Sequence, residues 1–224
     1  MSAVLGGVVL AAVAMGVAWR VLPWLRRGGH RYADEAALPQ RTFTWVLPGA
    51  GLVGLLVGAA WADRPAHLVV FGAFAVFLVL ISAIDVDVQR LPDRWTYPAM
   101  LLAPAATGLL AVVDRDLSGW LRSVLAGLVL GGGYFLLFVI GAVVGGGGLG
   151  LGDVKLAPSI GAVLGYLSWG HVVLATFAAI LLGGVFAAFL LITRRGGRHS
   201  HFAFGPAMAA GAILVLAAPA VGAL

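Results

Sequence analysis

Gly145 to Lys155 reads GGGGLGLGDVK: six of the eleven residues are glycine, and the two charges, Asp153 and Lys155, come at the end. Glycine at this density forgoes side-chain packing and costs backbone entropy. What it supplies instead is unusual backbone angles or room for another chain to come close. The run before it, Gly131 to Val144, and the run after it are apolar enough to be membrane-embedded. A carboxylate in such a setting is expensive and marks a functional site by default. One other place has this character. Asp85 ends an apolar run and is followed by Asp87 and Asp93. The expectation is that Asp85 and Asp153 meet, and that the fold holds them together.

Composition sets the class. The chain is 62% hydrophobic and 10% charged, against roughly 25% charged residues in soluble domains. Mean hydropathy is +1.05. This composition predicts an all-α, polytopic membrane helix bundle. Its 224 residues hold about eight spans of ~20 residues with short loops. There are no cysteines, which excludes disulfides, thiolate metal sites and cysteine nucleophiles. The net charge of +5 does not imply nucleic acid, because excess Lys and Arg in a membrane protein mostly records orientation. Membrane lipid is the expected surrounding partner, and oligomeric state is not legible.

In chain order, residues 3–24 form an apolar span followed by the basic residues Arg26, Arg27 and Arg31. A signal peptide carries its positive charge before the apolar run. An uncleaved first helix with its N-terminus outside is therefore expected. Further spans are predicted at 43–62, 67–84, 96–113, 120–144, 154–168, 171–193 and 204–223, the sixth short and bent at its start. Pro92 and its charged neighbours interrupt any helix after Asp85. Two parts follow: 1–42, a membrane helix with a short basic loop, and 43–224, the membrane domain that holds the aspartates.

Orientation follows by counting. The loops 25–42, 85–94, 145–155 and 194–201 share one side and hold Arg26, Arg27, Arg31, Arg41, Arg90, Arg94, Lys155, Arg194, Arg195 and Arg198. The opposite loops hold Arg64, Arg115 and Arg122. Positive charge marks the cytoplasm. Both acidic stretches are thus expected on the cytoplasmic face.

Two neighbouring carboxylates cannot both ionise easily and come to share a proton. The ionised member can take a proton from water while the protonated member donates to a peptide carbonyl. That is amide hydrolysis without a covalent intermediate. Side-chain-free backbone at Gly150 and Gly152 would let an extended peptide lie beside Asp153. Each residue also has a plainer reading. Asp85 alone reads as an interfacial residue, Asp93 as the N-cap of the next helix, the glycine run as a helix-packing device, and Lys155 as a cytoplasmic anchor. His199 and His201 read as part of a solvated basic loop, and His30 and His171 as histidines without spaced partners.

Three segments resemble the type IV prepilin peptidases, the GxGD class of intramembrane aspartyl proteases. Gly150-Leu151-Gly152-Asp153 is the GxGD, continued by Val154-Lys155-Leu156. Asp85-Val86-Asp87-Val88-Gln89-Arg90-Leu91-Pro92-Asp93 resembles the family's first aspartate segment, with Thr96 and Pro98 continuing it. Phe202-Ala203-Phe204-Gly205-Pro206 resembles its late F-G-P segment. The resemblance covers roughly residues 65–215. It implies that Asp85 and Asp153 are the catalytic pair, that Gly150, Gly152 and Lys155 shape the site, and that Asp87 and Asp93 contact a basic leader. It implies a protein of the bacterial plasma membrane that cuts the leader from pilin-like precursors at the cytoplasmic face, with no cofactor and no metal. Many members of that family carry a longer cytoplasmic segment after the first span, with paired CxxC zinc ligands linked to N-methylation of the product. Here that segment is residues 25–42 and has no cysteine, which argues against methyltransferase activity.

Two other functions fit parts of the pattern. A small cation-coupled transporter also uses broken helices and buried acids, but its acids lie mid-span within an inverted repeat, whereas Asp85 and Asp153 lie at one mouth. A non-catalytic membrane component of a secretion system would leave the shared face of the aspartates unexplained. A divalent metal held by Asp85, Asp87 and Asp153 is a further alternative.

Overall fold

The computed structural model describes residues 2–144, 149–193 and 203–218. The predicted glycines at 145–148, the basic residues 194–201 and Phe202 lie outside the described residues. Eight α-helices follow one another: α1 Ser2–Arg26, α2 Val46–Trp61, α3 Pro65–Val88, α4 Asp93–Asp114, α5 Leu117–Val144, α6 Leu151–Leu167, α7 Trp169–Ile192 and α8 Gly205–Ala217. A 3-10 turn, Ala33–Glu35, lies in the first loop. The eight predicted spans correspond to these helices, the eighth only up to Ala217, since residues 219–223 lie outside the described residues. Five of them, α1, α3, α4, α5 and α7, are long and apolar enough to cross a membrane.

Burial sorts the helices. In an apolar 18-residue window of each long helix, 67% of the residues are buried in α3, against 17% in α1, 33% in α4, 17% in α5 and 22% in α7. α3 is thus the most buried of the five long helices and shares the core with α6 and α8, while the outer helices turn leucine, valine and phenylalanine outward, as lipid contact requires. Helices pair where glycine lets backbones touch. A Cβ built at Gly58 of α2 would lie 2.5 Å from the Gly6 carbonyl oxygen of α1, and one built at Gly161 of α6 would lie 2.5 Å from that of Ala126 in α5.

Helix ends follow local sequence. Pro65 opens α3, where its missing N–H costs nothing. Gln89 closes it in the left-handed region, φ 53°, donating its N–H to the Asp85 carbonyl at 2.8 Å. Asp85 thus sits within the last turn of α3, not after it as the sequence suggests. Pro92, extended at ψ 134°, takes the N-cap of α4. Asp93 is the first helical residue instead of the cap. Gly150 plays the same part for α6, extended at ψ 142°.

At the opposite end of the bundle, the two helices that carry the aspartates are fastened to one carboxylate. Asp114, ending α4, accepts from His67 Nε2 of α3 at 3.0 Å and from the Tyr166 hydroxyl of α6 at 2.6 Å. The His67 ring stacks on Trp61, with centroids 5.4 Å apart. Arg122 of α5 caps the end of α6, donating to the carbonyls of Gly165 at 2.7 Å, Tyr166 at 2.6 Å and Leu167 at 3.1 Å.

Candidate active site

The last turn of α3, the first turn of α6 and the first turn of α8 converge at one end of the bundle. Asp85 is 4% exposed and Asp153 6%. The charge of Asp85 acts directly on Asp153. The Gly205 N–H at the start of α8 donates to Asp85 Oδ2 at 3.1 Å. Among the described residues, no cation forms an ion pair with either carboxylate. Two buried carboxylates without counter-charge are costly in a low-dielectric setting, and proton sharing relieves that cost.

Glycine makes this packing possible at two points. A Cβ at Gly205 would lie 2.6 Å from Asp85 Oδ2, so a side chain there and the present Asp85 position exclude each other. A Cβ at Gly152 would lie 2.8 Å from Leu91 Cβ. Leu91 is 3% exposed and stands between the two glycines, with its Cδ1 3.5 Å from the Cβ built on Gly205. The Asp153 N–H donates to the Gly150 carbonyl at 3.0 Å, closing the first turn of α6. Tyr134 of α5 is buried, at 6% exposure, and lies within the field of Asp153.

Asp87 stands apart from this pair. Its side chain is fully buried and saturated: Oδ2 accepts from His30 Nε2 at 2.8 Å and Arg31 Nε at 2.9 Å. Oδ1 accepts from Arg31 Nη2 at 3.0 Å and the Arg41 N–H at 2.8 Å. The sequence reading made Asp87 a contact for a basic leader. The structure instead spends both its oxygens inside the protein, because a carboxylate buried this deeply needs its own donors. Asp85, Asp87 and Asp153 also do not assemble into a ligand set, and no group of three acidic or histidine side chains among the described residues could hold a metal. Asp93, by contrast, is 53% exposed and pairs with Lys155 Nζ at 2.6 Å. The Lys155 ammonium also lies 4.9 Å above the Tyr97 ring. Lys155 therefore ties the first turn of α6 to the first turn of α4.

Sequence reasoning missed His30, Arg31 and Gly205. His30 reads as isolated because its partner is 57 positions away. Arg31 reads only as an orientation charge. Gly205 belongs to the F-G-P segment, and nothing local says that its amide meets a residue 120 positions earlier.

Comparison with known proteins places these features in a wider set. A sequence model of the type IV leader peptidase family matches residues 72–188, a segment that carries both Asp85 and Asp153. The chain is similar to a prepilin leader peptidase/N-methyltransferase of Neisseria gonorrhoeae, 34% identical over 163 residues, 70% of this chain and 52% of the relative. It is 31% identical over 174 residues to a protein of the same description from Bacillus subtilis, 76% of this chain and 65% of the relative. It is 29% identical over 198 residues to a type 4 prepilin-like proteins leader peptide-processing enzyme of Escherichia coli, 88% of this chain and 68% of the relative. The chain spans from about half to two thirds of the length of these relatives. No solved structure matches.

Proposed function

The chain belongs to the type IV leader peptidase family, and on that footing we propose that it is an aspartyl endopeptidase working through Asp85 and Asp153. Its substrates are pilin-like precursors, and it removes their leader at the cytoplasmic face of the plasma membrane. One observation carries this reading: two buried carboxylates from different helices stand near enough for the charge of Asp85 to act on Asp153 and, among the described residues, have no cation. The names of its relatives support the substrate class. The excess of Arg and Lys in the loops of that end supports the cytoplasmic orientation.

The chemistry is acid–base hydrolysis. The ionised carboxylate takes a proton from water as the water oxygen bonds to the scissile carbonyl carbon. The protonated carboxyl gives its proton to the carbonyl oxygen, producing a tetrahedral diol. The C–N bond then breaks, its electron pair going to nitrogen, which takes up the proton held by the first carboxylate; loss of the diol proton to the other restores the shared-proton pair. The Gly205 amide holds Asp85 in place. Gly152 lets the start of α6 pack against Leu91 and so seats Asp153, and Lys155 holds the start of α6 against α4. Asp93 is exposed but paired with Lys155, so in this reading it meets a basic leader only by exchanging that partner.

The test is cleavage of a co-expressed pilin-like precursor by the wild type and by Asp85→Asn and Asp153→Asn. Each variant is expected to lose at least about a thousandfold in cleavage, and the double variant to lose no more than the worse single one. Both are expected to accumulate in the membrane. Persistent cleavage by either variant overturns the pairing. The same reaction run with labelled S-adenosylmethionine is expected to leave the new N-terminus unmethylated, in line with a first loop of residues 25–42 that has no cysteine.

A further inference from the structure

We propose that His30 and Arg31 are positioning residues: acting through Asp87, they hold the last turn of α3 and so set the direction of the Asp85 carboxylate. The inference rests on the reading of Asp85 as one of the two working acids.

The last turn of a helix is where order is weakest, because its final carbonyls lack partners and the end frays. Asp85 lies in that turn of α3, which ends at Val88. The Gln89 N–H closes it with one bond to the Asp85 carbonyl. A carboxylate that must meet Asp153 across a helix gap cannot sit on a fraying end. Residues two apart on a helix point about 200° away from each other. Asp85 accordingly faces Gly205 of α8, while Asp87 faces the first loop. The turn is gripped from opposite sides.

The loop that does the gripping is rigid in its own right. Arg31 forks onto Asp87 with Nε and Nη2. Its remaining hydrogens reach back to the Leu38 carbonyl at 2.6 Å and the Pro39 carbonyl at 3.3 Å, so the loop folds around one guanidinium. Gln40 ties the loop to the end of α1 through the carbonyls of Leu25 at 3.2 Å and Arg26 at 2.5 Å. Arg94 of α4 ties it to the start of that helix through the carbonyls of Gly29 at 3.0 Å and His30 at 2.5 Å. A flexible loop could satisfy Asp87 electrostatically. This one also fixes where Asp87 stands.

His30 gives the second sign. Its ring is fully buried, edge-on to Trp24 at 5.9 Å and to Phe43 at 5.8 Å. Its Nδ1 has no hydrogen-bond partner among the described residues. An apolar ring would fill the same space without that cost. What only histidine supplies here is the Nε2 bond to Asp87.

The test uses the full-length protein in membranes or detergent and a synthetic precursor peptide. Arg31→Lys keeps the charge and loses the fork. His30→Phe keeps the ring packing and loses the Nε2 bond. Each is expected to lower kcat roughly ten- to hundredfold, with KM unchanged within about twofold and with a shifted pH profile of kcat, since the geometry of the coupled acids changes. Hydrogen exchange is expected to accelerate in the peptide covering 85–89 and to stay unchanged in α2. Asp34→Ala breaks only the exposed contact of the same loop with Arg90 and is expected to behave as wild type.

Wild-type kcat, pH profile and 85–89 exchange in both His30→Phe and Arg31→Lys, beside an inactive Asp85→Asn, overturn the positioning role. A smaller yield of folded protein with unchanged kcat per molecule also overturns it, because that is a purely structural effect. Cleavage by Asp85→Asn overturns the catalytic reading instead, and the exchange measurement still decides whether the loop holds the turn.

Discussion

Where α3 begins and α4 and α6 finish, carboxylates are fasteners. Asp114 accepts from His67 and Tyr166. Asp116 accepts from the Ser118 hydroxyl at 2.6 Å and the Gly119 N–H at 2.9 Å. At the other end, where α3 finishes and α6 begins, Asp87 and Asp93 are matched in the same way by Arg31 and Lys155. Asp85 and Asp153 are the exceptions. They are as buried as Asp87, yet among the described residues neither has a cation. Asp85 and Asp87 are two positions apart on one helical turn, so length of burial and local composition do not separate them. What separates them is supply of donors. A buried carboxylate given a full set of donors is fixed in one charged state and holds structure together. One left short of donors keeps a proton within reach and can do chemistry.

This contrast can be broken or sharpened by substitution. After the aspartates themselves, the largest effect is expected from Gly205→Ala. The added methyl would stand 2.6 Å from Asp85 Oδ2, displacing the carboxylate from the Gly205 amide that donates to it. Cleavage is expected to fall roughly hundredfold while the protein still accumulates; cleavage at the wild-type rate would mean that Asp85 need not stay where the fold puts it. Arg122→Ala probes the fastening end, leaving three carbonyls of α6 without their donor. A loss of about 1–3 kcal/mol in stability is expected, read by thermal unfolding in detergent. Cleavage per folded molecule should fall less than about tenfold. A collapse of activity without loss of stability would show that the two ends are coupled, not separate in their work.

The smallest effect belongs to Ser118→Ala. The Ser118 hydroxyl first, and the Gly119 N–H second, hold the Asp116 carboxyl below the usual carboxylate range. A carboxyl depressed in the folded state adds stability above its unfolded value, near pH 4, and that contribution is lost as pH falls through the folded value. Ser118→Ala is therefore expected to flatten the acid limb of the stability profile below about pH 4 and to change little above it beyond a uniform small loss. Asp116 is close to solvent, so screening keeps the effect small. An unchanged acid limb would remove Asp116 from the set of fasteners.

Much of the architecture was legible in advance. The apolar runs predicted eight helices, and the predicted starts at 67, 96 and 154 fall two to three residues after the observed ones at Pro65, Asp93 and Leu151. The shared end of Asp85 and Asp153 was legible from the parity of the spans between them. The role of Asp87 was not. Its partners, His30 and Arg31, lie 57 and 56 positions away across two intervening helical segments. Nothing in the spacing distinguishes an aspartate awaiting a substrate cation from one already held by the chain's own. The pairing of His67 with Asp114 was equally hidden, since it depends on where α3 and α4 end relative to each other.

By itself, the sequence determined the membrane class, the number of helices and the candidate acids. Apolar length and the cost of burying charge act locally, and they leave a mark on every stretch of chain. Only the tertiary structure decided which carboxylates are satisfied. That depends on the full set of donors reaching each oxygen, and those donors come from Arg31, Arg41 and Gly205, residues far apart in the chain and brought within bonding distance by the packing of α3 against the first loop and α8.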